Sequence, residues 1–98
     1  MSRTPSSNQY DEVSTKEYEE LSSYKFLLGD FGISILAAIA RGARTHDSIM
    51  MLSGVPLACV TGRMPVLLNL KLIIQIGQNE YAISKKGIAF LKCINESV

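Results

Sequence analysis

A chain of 98 residues with 47 % hydrophobic content supports one modest core rather than two. The formal charge of +1 is close to neutral, so bulk charge does not mark a strongly basic nucleic-acid binder. Two distant cysteines, Cys59 and Cys93, and a single histidine exclude a disulfide framework and a zinc site, and a reduced cytoplasmic setting is expected.

Residues 1–14 (MSRTPSSNQYDEVS) hold little apolar surface to offset the entropy of ordering, and they are expected to form a flexible tail. From Thr15 the pattern changes. Tyr18, Leu21, Tyr24 and Leu28 recur at steps of three or four, which predicts an amphipathic helix ending near Gly29. Asp30 is placed to cap a second helix whose Ile33, Leu36, Ala37, Ile39 and Ala40 form a broad apolar face, with Gly42 as its stop.

Thr45 is the expected N-cap of a short helix reaching Leu52, with Ile49 and Leu52 facing inward and Gly54 ending it. Pro56 suits the first turn of the next helix, where Val60, Met64, Leu67 and Leu70 define a buried stripe. Pro65 lies inside that helix and is expected to kink it. Leu72–Ile76 and Tyr81–Ile83 flank the turn residues Gly77-Gln78-Asn79 and read as a hairpin. Ser84 then caps a closing helix carrying Ile88, Phe90, Leu91 and Ile94. Charges and glycines interrupt every long apolar run, so neither a membrane span nor a signal peptide is expected.

Charge is unevenly divided along the chain. Residues 1–29 carry three basic and five acidic side chains, whereas residues 30–98 carry seven basic and four acidic. Catalysis finds no support. There is one histidine, no carboxylate cluster after Asp30 and no phosphate-binding glycine loop, and His46 and Asp47 cannot pair because adjacent helical residues do not face each other. No cofactor and no metal are expected.

The segments ILAAIARGART (35–45), HDSIMMLSGV (46–55), PLACVTGRMPVLLNLKLI (56–73) and NEYAISKKGIAFLKCI (79–94) together resemble the winged helix-turn-helix family. The most specific parts are Leu70-Lys71-Leu72-Ile73 and the pattern Tyr81-x-Ile83-Ser84-x-Lys86-Gly87-x-x-Phe90-Leu91. The resemblance implies an α+β, mostly α domain over residues 15–98: a three-helix core, a two-stranded wing, a closing helix and an additional N-terminal helix over 15–29.

It also implies double-stranded DNA as the partner and transcription regulation as the function. The third helix would enter the major groove with Leu57, Ala58, Thr61, Gly62 and Pro65, of which only Thr61 is polar. Arg44, Thr45, His46 and Arg63 near the helix starts, and Gln78, Asn79, Lys85 and Lys86 around the wing, would contact the backbone. The face of Tyr18, Leu21, Tyr24 and Leu28 would pack on its own domain or pair two copies, and a homodimer on a palindromic site is expected. The apolar outer face of the third helix also suits a protein-docking module, with a protein of the transcription machinery as a partner.

Overall fold

A computed structural model describes residues 15–96, so the expected tail of residues 1–14 lies outside the described residues. The elements follow one another as α1 (Thr15–Ala40), α2 (His46–Ser53), α3 (Leu57–Asn69), β1 (Ile73–Gly77), β2 (Glu80–Ile83) and α4 (Lys85–Glu96). The architecture is α+β and mostly helical, with one two-stranded antiparallel sheet.

The boundary expected at Gly29 is present as a break inside α1. Gly29 adopts φ 68° and ψ −178°, a conformation that only glycine takes without strain. Leu21, Tyr24 and Leu28 before the break, and Ile35, Leu36, Ala38 and Ile39 after it, are all buried. The segment Glu19–Ala40 is long and apolar enough to cross a membrane, which differs from the sequence expectation. One side of it packs against α2, α3, α4 and β2, while Phe26, Leu27 and Phe31 on the same segment are exposed.

The helix ends follow local chemistry. After α1, the N–H of Ala43 donates to the carbonyl of Ala38 and that of Gly42 to Ile39, a Schellman closure with Gly42 in the left-handed position. Thr45 and Ser48 form a reciprocal capping box at the start of α2, and Gly54 closes that helix. One correction concerns the facing of α2. Ile49 is buried as expected, but Leu52 is 43 % exposed and Met50 packs on the core in its place. At Pro65, where a kink is expected, α3 is not interrupted and continues to Asn69. Pro65 and Thr61 both lie on the exposed side, so solvent reaches the Thr61 carbonyl that proline leaves without its helical donor.

A second Schellman closure ends α3, with Leu72 N–H donating to Leu67 and Lys71 N–H to Leu68. The left-handed position is here occupied by Lys71, at φ 66°. The hairpin pairs Ile73 with Ile83, Ile74 with Ala82 and Gln75 with Tyr81, with an irregularity before the Gly77–Glu80 pair. Asn79 takes φ 65° in the turn.

The closing helix is rotated from its expected face. Phe90 and Cys93 are buried, whereas Ile88 is 45 % exposed and Leu91 and Ile94 are half-buried. The reason lies at its start. Ser84 Oγ accepts from Gly87 N–H at 3.0 Å, and Gly87 is pressed onto the Leu72 carbonyl so closely that a Cβ would stand 2.2 Å from that oxygen. Residue 87 therefore faces inward, and positions 90 and 93 follow it at helical spacing.

Candidate nucleic-acid interface

Three residues, Gly54-Val55-Pro56, join α2 to α3, and the chain turns by 110° between them. Buried Val55 pins this connection to the core. The turn sets α3 with Val60, Met64 and Leu67 inward and its other side to solvent. Leu57, Ala58, Thr61, Gly62 and Pro65 are all exposed, so the face named from sequence is an open face that spans two turns, about 12 Å.

The chemistry of this face is sparse. Thr61 supplies its one side-chain hydroxyl; the rest is small or apolar. A Cβ added at Gly62 would meet nothing within 4 Å, so no internal packing requires glycine there. A glycine inside a helix costs roughly 1 kcal/mol relative to alanine, and here the fold gains nothing from it. Its effect is on the surface, which it leaves flat and open to close approach. Arg63, one position further on, is half-buried.

The expected backbone contacts divide into free and engaged groups. Arg44 is exposed, while its backbone is fixed by donating to Ser48 Oγ at 3.0 Å and accepting from Tyr81 N–H at 2.8 Å. Lys85 is exposed at the start of α4. Gln78 and Asn79 are exposed at the hairpin tip, but Glu80 is exposed beside them, and a carboxylate there opposes phosphate.

Three other residues make contacts within the fold. Thr45 Oγ1 accepts from Ser48 N–H and donates to Ser48 Oγ, so the cap consumes it. His46 stacks on Tyr81, with ring centroids 5.7 Å apart and planes 13° from parallel, and its buried Nε2 has no hydrogen-bond partner. It joins α2 to β2. Lys86 Nζ donates to Tyr24 Oη at 2.9 Å and lies 4.9 Å from the ring centroid, while Tyr24 donates to Glu20. That lysine is held against α1.

Sequence reasoning passed over Lys71. Ser84 Oγ donates to the Lys71 carbonyl at 2.6 Å, which brings this exposed lysine beside the start of α4 and Lys85. No local signal announces it, because the contact joins residues 13 apart.

Among the described residues, no cluster of His, Cys, Asp and Glu could hold a metal ion. Comparison with models of protein families, with curated proteins and with solved structures returns no match for this chain.

Proposed function

We propose that this protein is a winged helix-turn-helix module that binds duplex DNA and regulates transcription by occupying it. The observation that carries the reading is the α2–α3 corner. Two helices joined by three residues at 110° leave a five-residue face of the second helix bare, an arrangement that supports the helix-turn-helix reading.

Arg44, Lys71 and Lys85 supply the backbone attraction, since all are exposed and none has a carboxylate partner among the described residues. Contacts to phosphate give affinity but no sequence information. With Thr61 as its single hydroxyl, the α3 face reads shape and thymine methyl groups rather than the donor–acceptor code that Arg, Asn or Gln would read. Sequence preference is therefore modest, and occupancy is the mode of action.

A second reading rests on a specific observation. Met51, Leu52 and Leu57 are exposed on either side of the same corner, which suits a protein partner docking through apolar contact. Salt separates the two. A labelled mixed-sequence duplex titrated at several salt concentrations gives, for three phosphate contacts, a log–log slope of about −3. No binding at low salt overturns the DNA reading and favours the docking surface.

A further inference from the structure

On α1, the face that was expected either to pack or to dimerise packs: Leu21, Tyr24 and Leu28 are buried in the chain's own core. The bare apolar residues lie elsewhere on the helix. Phe26 is 86 % exposed, Leu27 59 % and Phe31 44 %, three large side chains within six residues. The two phenylalanines alone present about 250 Å² to solvent, a third of the roughly 800 Å² that each partner of a standard interface buries.

The patch is neutral and self-complementary. Lys25 and Asp30, both exposed and without an ion-pair partner among the described residues, flank it with opposite charges. Gly29 lies between them, and the space where its side chain would stand is empty to 4 Å.

We infer that this face of α1 is the seam of a homodimer, formed by two copies of the chain crossing antiparallel about a two-fold axis between Leu27 and Leu28. In such an isologous contact a residue on the seam meets the one whose number mirrors its own across the axis, while Tyr24 and Leu28 stay in their own core. Lys25 of each copy then faces Asp30 of the other, twice over, and Phe26 of each seats over Gly29 of the other. The bare aromatic fills the space that the glycine leaves. One axis thus satisfies the charges, the large side chain and the gap together.

Sedimentation velocity on the full chain without nucleic acid tests this, and its outcome is separate from that of the DNA titration. The expected result is a concentration-dependent dimer that Phe26→Asp weakens about thirtyfold, as loss of a central aromatic anchor does. Circular dichroism confirms folding, since Phe26 is outside the core. Lys25→Glu and Asp30→Lys each weaken the dimer about tenfold, and the double reversal restores it. A monomer at every concentration overturns the seam, as does a dimer indifferent to Phe26→Asp or a double reversal no stronger than the single variants.

Discussion

Ser84 Oγ serves two partners at once, donating to the Lys71 carbonyl at 2.6 Å and accepting from Gly87 N–H at 3.0 Å. One hydroxyl thereby joins the end of α3 to the start of α4, and Ser84 N–H adds a bond to the Leu72 carbonyl at 3.0 Å. Ser84→Ala removes the cap and the carbonyl's donor while leaving the backbone bond. Unfolding in urea should show a loss of about 1–2 kcal/mol, with the m-value unchanged.

Lys71 combines a strained backbone with an exposed charge, so its substitution separates stability from binding. Glycine takes φ 66° without the strain that lysine carries there, and Lys71→Gly should stabilise the fold by about 1 kcal/mol. The same change deletes a phosphate contact, and the salt slope of duplex binding should fall by about 1. A stabilised variant with an unaltered slope places Lys71 away from DNA.

Glycine-to-alanine exchange has opposite signs at two helical positions. At Gly87 the new methyl would meet the Leu72 carbonyl carbon and oxygen and Ile83 Cγ1 within 3.2 Å, two of them backbone atoms with little room to move. Thermal unfolding of Gly87→Ala should report a loss of about 1–3 kcal/mol. At Gly62 the space is open, and Gly62→Ala should gain up to about 1 kcal/mol from helix propensity.

The neighbouring lysines at the start of α4 should part company in the same way. Lys85 is exposed and Lys86 is held on the Tyr24 ring. Lys85→Ala should lower duplex affinity and leave the melting temperature alone, whereas Lys86→Ala should lower the melting temperature and leave the affinity of the folded protein alone. Identical effects on both measurements would show that the α1 contact does not distinguish them.

Much of the fold was legible because its punctuation is local. Thr45, Gly54 and Ser84 each close or open a helix through atoms within four residues, and the buried stripe of Val60, Met64 and Leu67 repeats at helical spacing. The open face of α3 follows from that stripe by elimination. What sequence could not supply were facts settled by distant contacts. His46 is stacked on a ring 35 positions later, and Lys86 is captured by a tyrosine 62 positions earlier. The facing of α4 depends on the pressure of Leu72 against Gly87, and apolar spacing alone placed Ile88 wrongly inward.

Gly62→Glu in the duplex titration tests the α3 face most directly. The site is solvent-facing and open, so the folded state should persist with unchanged circular dichroism and a melting temperature no lower than that of the wild type. If this face enters the major groove, a carboxylate there meets phosphate and base acceptors without a partner, and affinity should fall by at least about a hundredfold. Wild-type affinity in the folded Gly62→Glu protein would contradict docking through α3.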